Sequence, residues 1–247
     1  MKSSANLIFF DFDGVLCDSM DECFLSSWMA YHRFGRQQEP ATVSLAARQQ
    51  FAQLRPFIRD GQDYLLIHDL VEQGIQISTQ VEFDQQLQLA GKTRMQQFRD
   101  WFYRARNYLI DTDFAYWCQI NKLFPGVTEL LHQYAKHPGL YILSTKRPQY
   151  IREILKFARI PFSEEHVLYN GASSKMVIIQ QVLADYPGTT AHFVDDQISH
   201  FLQNDDTRII PYIPAWGYIK PQWLTSGFKV LQLEELPQLF SLLPVQP

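Results

Sequence analysis

Two aspartates, Asp11 and Asp13, directly follow a short apolar run at residues 7–10. Such a run is typical of a buried strand, and open α/β sheets bind ligands at the carboxyl ends of their strands. Residues two apart on an extended backbone share a face, so the two carboxylates would lie close together. Carboxylates that close repel each other unless a proton or a cation such as Mg2+ lies between them. An ordinary strand end followed by a turn also fits these residues, and both interpretations stay open on this motif alone.

Two later segments place groups that suit an anion at predicted helix starts. Ser144 and Thr145 follow the apolar residues 140–143, and a hydroxyl with free backbone N–H groups at a helix start can hold a phosphate. Either hydroxyl could serve, and we favour Ser144 because it follows the strand directly. Lys175 stands at the start of another predicted helix, where its charge could balance phosphate and carboxylate groups.

A further pair of acids, Asp195 and Asp196, directly follows the apolar residues Phe193 and Val194 at the end of another predicted strand. If the strands are parallel, these carboxylates emerge at the same edge of the sheet as Asp11. Together they would form an oxygen cage for a divalent cation. Each segment alone has an ordinary structural explanation, but their shared placement at strand ends favours one common site.

Elements that alternate between strand and helix must position these residues. We expect strands at Leu7–Phe10, Leu140–Leu143, His192–Val194, Arg208–Ile213 and Lys229–Leu231. Helices are expected at Thr128–Lys136, Gln149–Ala158, Ser174–Ala184 and Ile198–Gln203. This alternation implies right-handed crossovers and an α/β fold with a doubly wound, mostly parallel sheet.

The middle of the chain has apolar residues at helical spacing and shows no convincing strand. We expect helices over Met20–Phe34, from a Ser44 cap through Gln53, over Pro56–Gln73, and from a Ser78 or Thr79 cap supported by Glu82. A later helix carries the apolar stripe of Phe98, Trp101, Phe102, Ala105 and Leu109, and the arginines at 94, 99, 104 and 106 are expected on solvated helix faces. Residues 1–16 and 123–247 are therefore predicted to form the α/β core, with 17–122 inserted as an all-helical domain.

Composition excludes several function classes. The chain has 247 residues, of which 46% are hydrophobic, and a formal charge of −4 that gives no reason to expect a nucleic-acid partner. No apolar run approaches the roughly 20 residues of a membrane helix, and the residue types of the first segment predict no signal peptide there. The three cysteines have no CxxC spacing and indicate reduced thiols in a cytoplasm.

These motifs together resemble the haloacid dehalogenase-like (HAD) hydrolase superfamily, whose members are mostly phosphatases. The matching segments, in chain order, are Asp11–Leu16, Leu143–Ser144, Lys175 and Val194–Asp196. Two more segments, Phe124–Val127 and Ala215–Tyr218, resemble the family's return from a helical cap and a loop after its fifth strand. The insert is similar to a C1-type cap, although it is longer than a minimal one.

The resemblance implies a role for each matching residue. Asp11 would attack phosphorus and form an aspartyl-phosphate. Asp13 would protonate the leaving oxygen and then deprotonate the attacking water. Ser144, with Thr145 as the alternative hydroxyl, would bind the transferring phosphoryl group, and Lys175 would balance its charge. The implied Mg2+ ligands are the Asp11 carboxylate, the Asp13 backbone carbonyl and Asp195. Asp196 would be either an additional ligand or a residue that supports the ligands from behind.

The expected function is therefore hydrolysis of a small phosphorylated metabolite by a Mg2+-dependent phosphatase. In the insert, Arg55 and Arg59 flank Pro56 and could meet an anionic substrate, although a solvated helix end also fits them. Two alternatives stay open: a phosphomutase that uses the same aspartates, and a catalytically silent binding protein with this fold. Asp13 disfavours attack on carbon, because that reaction needs no acid for the leaving group.

Overall fold

The computed structural model describes residues 6–39, 43–171, 173–202 and 204–243. The chain divides into two units: one combines the residues up to Asp18 with those from Lys122 onward, and the other is Ser19–Asn121. The strands are β1 (Asn6–Phe10), β2 (Cys17–Asp18), β3 (Lys122–Leu123), β4 (Leu140–Ser144), β5 (Val167–Tyr169), β6 (Thr190–Val194), β7 (Ile209–Pro214) and β8 (Lys229–Leu231). All eight belong to the first unit.

Six of these strands form one parallel sheet in the order β5-β4-β1-β6-β7-β8. From β1 the chain first builds outward on one side through β4 and β5, and then returns to build the other side through β6, β7 and β8. The strand order therefore reverses between β1 and β6, the position where open α/β sheets form their ligand crevice. The predicted α/β fold class is confirmed.

Both faces of the sheet are covered, as the near-continuous apolar strands require. The helices of this unit are α6 (Val127–Tyr134), α7 (Pro148–Phe157), α8 (Lys175–Ala184) and α9 (Leu236–Phe240). On one face, Leu7 and Phe9 pack in a cluster with Ile179 and other residues of α8. On the opposite face, Phe10 stacks on Phe240 of α9 with ring centroids 5.1 Å apart.

Several details of this unit differ from the sequence prediction. Strand β5 was not predicted, because it has only three residues and forms an edge of the sheet. The antiparallel ribbon of β2 and β3 was also missed, since each strand has two residues. The helix expected over Ile198–Gln203 is a 3-10 turn over Ile198–His200, and Gln203 lies outside the described residues.

The second unit contains helices α1 (Met20–Ala30), α2 (Leu45–Leu54), α3 (Asp63–Glu72), α4 (Gln80–Thr112) and α5 (Phe114–Gln119). The Ser44 cap is confirmed by the bond from Ala47 N to Ser44 Oγ, and Thr79 and Glu82 form the expected capping box. Helix α4 is interrupted at Gly91, whose φ of 76° lies in the left-handed region that glycine tolerates. Among the described residues, no helix combines the length and apolar character needed to cross a membrane.

Two predictions for this unit were wrong in part. The helix expected over Pro56–Gln73 begins only at Asp63, because Asp63 Oδ2 accepts the backbone N–H groups of Arg59 and Asp60 and stabilises a loop there. The helix expected over Met20–Phe34 leaves α geometry at Tyr31 and continues as a π-helix to Arg36.

Arg106 is also not on a solvated face. Its guanidinium is buried and forms two hydrogen bonds with Glu22, at 2.8 and 2.7 Å. A buried charge requires such a partner, and the sequence spacing between these two residues gives no sign of it.

Candidate active site

Strands β1 and β6 lie side by side and end at the same level of the sheet. Phe10 pairs with Val194, so the next residue of each strand, Asp11 and Asp195, emerges at the carboxyl edge where the strand order reverses. The backbone N–H of Asp11 still donates to the Val194 carbonyl at 2.9 Å. The parallel register thus brings Asp11 and Asp195, which are 184 positions apart in the chain, to the same ligand crevice.

Lys175 joins these two carboxylates. Its ammonium lies 2.9 Å from Asp11 Oδ2 and 2.7 Å from Asp195 Oδ2. It is the first residue of α8, which Ser174 caps by accepting the N–H of Val177. Burial favours the neutral amine, but the charges of Asp11 and Asp195 outweigh it and raise the pKa of Lys175. The lysine therefore stays charged inside the site.

Asp195 is held as a carboxylate by three donors. One oxygen accepts Lys175 and the Nδ1 of His200 at 2.8 Å, and the other accepts the backbone N–H of Gln197 at 2.8 Å. Burial alone would raise the pKa of Asp195, but His200 and Lys175 lower it well below its usual range. This acid is thus fixed in position and negatively charged.

Asp11 has a different environment. Burial raises its pKa, Lys175 lowers it, and the nearby negative charge of Asp195 raises it again, so the net direction is upward. Its Oδ1 accepts the backbone N–H of Phe12 at 2.7 Å, and its carboxylate also hydrogen-bonds with Ser144. Its position at the end of β1 leaves it beside the crevice.

The carboxylates of Asp11, Asp195 and Asp196 offer oxygen atoms that all lie within 4.8 Å of one another, and all three residues are buried. When all three acids are ionised, their negative charge exceeds the positive charge of Lys175, and a hard divalent ion would compensate the difference. The donor set therefore fits Mg2+. Asp196 Oδ2 also accepts the backbone N–H of Tyr218 at 3.0 Å.

Two glycines let the surrounding loops approach Asp196 closely. A Cβ on Gly14, whose φ is +83°, would overlap Asp196 Oδ2, and a Cβ on Gly217 would lie 2.7 Å from Asp196 Cβ. Gly14 belongs to the loop after β1 and Gly217 to the loop after β7. Only residues without a side chain fit at these two contacts, so three loops converge on one carboxylate.

The remaining predicted core residues lie at the same edge. Ser144 is buried at the end of β4, whereas the neighbouring Thr145 is partly exposed. Asp13 lies in the turn after β1, and its carboxylate is 2.9 Å from the Nζ of Lys146. The structure thus brings together Asp11, Asp13, Ser144, Lys175, Asp195 and Asp196.

The two arginines predicted from the insert are engaged within the helical unit. Arg55 is buried, with its guanidinium 5.4 Å from the centre of the Tyr64 ring. Arg59 is partly exposed and forms two hydrogen bonds of 2.8 Å with the carboxylate of Asp84. Their part in substrate binding stays a prediction.

Sequence reasoning missed three residues that contact the site. Lys146 pairs with Asp13, His200 pairs with Asp195, and Tyr218 donates its N–H to Asp196. Lys146 and His200 follow motif residues by two and five positions, and Tyr218 lies in the Ala215–Tyr218 loop. Their closeness to the motifs in sequence was therefore a usable signal, but the sequence does not show in which direction each side chain points.

The comparisons with known proteins agree on the fold. A predicted phosphatase from Clostridium acetobutylicum superposes with a TM-score of 0.57 at 17% identity, over 97% of this chain and 99% of the other. A predicted phosphoglycolate phosphatase from Haemophilus somnus superposes with a TM-score of 0.60 at 15% identity, over 97% of this chain and 99% of the other. A haloacid dehalogenase-like family hydrolase from Streptococcus pneumoniae superposes with a TM-score of 0.55 at 18% identity, over 95% of this chain and 97% of the other.

This chain has the haloacid dehalogenase-like hydrolase fold. No family model and no curated protein matches the sequence at a significant level. The HAD fold accounts for the sheet order and for the helical insert after the first strand. What the site does must be argued from its own residues, because one fold supports many functions.

Proposed function

We propose that this HAD-fold protein is a Mg2+-dependent phosphatase that hydrolyses a small phosphomonoester through an aspartyl-phosphate. The observation that carries the proposal is the position of Lys175, whose single ammonium contacts both Asp11 and Asp195 at the reversal of strand order. A buried cation between two acids suits a site that must receive a phosphoryl group next to a carboxylate nucleophile.

The residues divide the reaction between them. A carboxylate oxygen of Asp11 attacks phosphorus while the ester P–O bond breaks, and Asp13 gives its proton to the leaving oxygen. Water then attacks the aspartyl-phosphate, Asp13 takes a proton from it, and the Asp11–phosphorus bond breaks to release inorganic phosphate. Ser144 hydrogen-bonds the transferring group, and Lys175 balances its charge.

Mg2+ would be held by the carboxylates of Asp11, Asp195 and Asp196 with the Asp13 backbone carbonyl, and when bound it neutralises charge on phosphoryl oxygens.

We also propose that the substrate is a small phosphorylated metabolite. The names of the C. acetobutylicum and H. somnus proteins, which describe phosphatases, support this class. The three cysteines are buried as thiols and not joined in disulfides, which suits a reducing cytoplasm.

The test is phosphate release from a panel of phosphomonoesters, with and without Mg2+. We expect metal-dependent turnover in the wild type, a loss below detection in Asp11→Asn, and no change in Asp111→Asn. Asp111 is the matched control because it is an exposed aspartate of α4. Calorimetric binding of beryllofluoride in the presence of Mg2+ gives a second readout that does not need the substrate.

Three results would separate the alternatives. Turnover that survives in Asp11→Asn contradicts the assigned nucleophile. A need for a bisphosphate activator without net phosphate release identifies a phosphomutase. A wild type that binds neither Mg2+ nor beryllofluoride contradicts the enzyme and leaves a binding protein.

A further inference from the structure

Lys146 is a buried cation that the proposed reaction has not yet used. Its side chain is 1% exposed, and its Nζ lies 2.9 Å from Oδ1 of Asp13. The Asp13 side chain is itself 16% exposed, so part of it remains accessible to solvent. Removing a lysine ammonium from water is costly unless an acceptor receives it, and Oδ1 of Asp13 can accept it both in the ionised acid and when the proton is on the other oxygen.

The local chain directs Lys146 toward Asp13. Ser144 Oγ accepts the backbone N–H of Lys146 at 3.2 Å and forms a tight turn at the end of β4. Pro148 opens α7 soon after, so the Lys146 backbone is confined between strand and helix. The ammonium also lies 5.7 Å from the centre of the buried Phe12 ring, between Asp11 and Asp13 in sequence.

The side chain of an aspartate in a turn can adopt several rotamers, and proton transfer needs the one that reaches the leaving oxygen. We propose that Lys146 is the positioning residue that holds the Asp13 side chain in one orientation for proton transfer. This inference rests on the proposed phosphatase function. It assigns a specific role to the lysine two positions after the phosphate-binding hydroxyl.

Leaving groups of different basicity test the role. An alkoxide leaving group needs a proton from Asp13, whereas p-nitrophenolate leaves without one. For Lys146→Met we expect kcat/KM for an alkyl phosphate such as glycerol 2-phosphate to fall about 100-fold, the lower range for a lost general acid. For p-nitrophenyl phosphate we expect less than about a threefold change, because proton transfer contributes little there.

Three further variants complete the comparison. Asp13→Asn should show the same split between leaving groups, and Lys146→Arg should restore part of the alkyl-phosphate activity because it keeps a cation. Lys156→Met, the same substitution at an exposed position of α7, should change neither substrate. Equal losses for both leaving groups in Lys146→Met would overturn the positioning role.

Amine labelling followed by mass spectrometry tests the contact without any turnover. Lys146 should react slowly in the wild type and faster in Asp13→Asn, while Lys156 reacts equally in both. Fast labelling of Lys146 in the wild type overturns the inference. If Lys146 is protected but the wild type hydrolyses no ester, the phosphatase proposal has failed together with the positioning role, and only the contact stands.

Discussion

Lys175 Nζ lies 2.7 Å from Asp195 Oδ2, and neither side chain is exposed to solvent. Without Lys175, Asp11 and Asp195 lose the cation that lies between them, although Asp195 keeps its contacts with His200 and the Gln197 N–H. We therefore expect Lys175→Met to reduce the free energy of unfolding by about 3–5 kcal/mol and to abolish phosphate release. Urea unfolding and the phosphate assay measure the two effects. If Lys175→Met is as stable as the wild type, the pair makes no net contribution to the free energy of unfolding.

A second buried pair, Glu22 with Arg106, predicts a stability effect in the helical unit. Glu22 also receives hydrogen bonds from Ser26 Oγ and Trp117 Nε1. Arg106→Met should cost about 3–5 kcal/mol because it removes the cation from a buried carboxylate. The double variant Glu22→Met with Arg106→Met should cost clearly less than the sum of the two single changes.

The matched control for that cycle is the exposed pair of Arg48 with Asp21, both nearly half exposed. Asp21→Asn should change the free energy of unfolding by less than about 1 kcal/mol, since solvent screens the charges. Urea unfolding followed by tryptophan fluorescence measures all four variants. Equal effects at the two pairs would contradict the role assigned to burial.

His68 predicts a pH dependence of stability. It is buried among the rings of Phe24 and Phe51, its Nε2 is 2.8 Å from Ser27 Oγ, and burial with the nearby His32 lowers its pKa to about 3. The unfolded chain binds the proton at the ordinary value of 6.5, so between pH 6.5 and about 3 it holds more protons than the folded chain. Stability therefore falls as the pH falls through this window.

From pH 7 to pH 5 this histidine alone should remove about 2 kcal/mol. His68→Gln should lose that part of the pH dependence, whatever its effect on stability at pH 7. His132→Gln, at an exposed position of α6, should keep the wild-type dependence. The urea midpoints of each variant at pH 7 and pH 5 measure this pH dependence. If His68→Gln loses as much stability between the two pH values as the wild type does, the role assigned to His68 is contradicted.

Gly14 predicts a loss of metal binding on the smallest possible substitution. Gly14→Ala places a methyl group against Asp196 Oδ2 and strains a backbone with φ of +83°, so Mg2+ should bind at least about tenfold more weakly. Gly188→Ala is the control, because Gly188 has φ of +76° but nothing within 4 Å of the added Cβ. It should keep the wild-type affinity in calorimetry, and equal weakening in both variants would contradict the steric argument.

The parts of the fold that depend on local pattern were predictable from the sequence. The runs that end at Phe10 and Val194 are apolar and are followed by acids, so their strands and their shared edge could be inferred before pairing was known. The parallel register then places Asp11 beside Asp195 without further information. The caps at Ser44 and Thr79 follow from residue types at a fixed spacing.

Features that depend on side-chain direction or on distant partners were not predictable. Nothing in the spacing of Arg106 shows that Glu22 receives it, and the same stripe would suit a solvated helix face. The loop before Asp63 forms because one carboxylate accepts two N–H groups, which apolar periodicity does not report. The sequence around Lys146 indicates a turn, and only the structure shows that its ammonium donates to Asp13 Oδ1.

The ribbon of β2 and β3 has a consequence for the history of the chain. In this ribbon Cys17 pairs with Leu123 and Asp18 pairs with Lys122. The two ends of the 103-residue segment Ser19–Asn121 are therefore held next to each other by the core unit itself. A segment inserted between adjacent ends can be lengthened, exchanged or lost without moving β1 or the strands after it. The insert can therefore change in length or sequence while the strands that carry the aspartates keep their places.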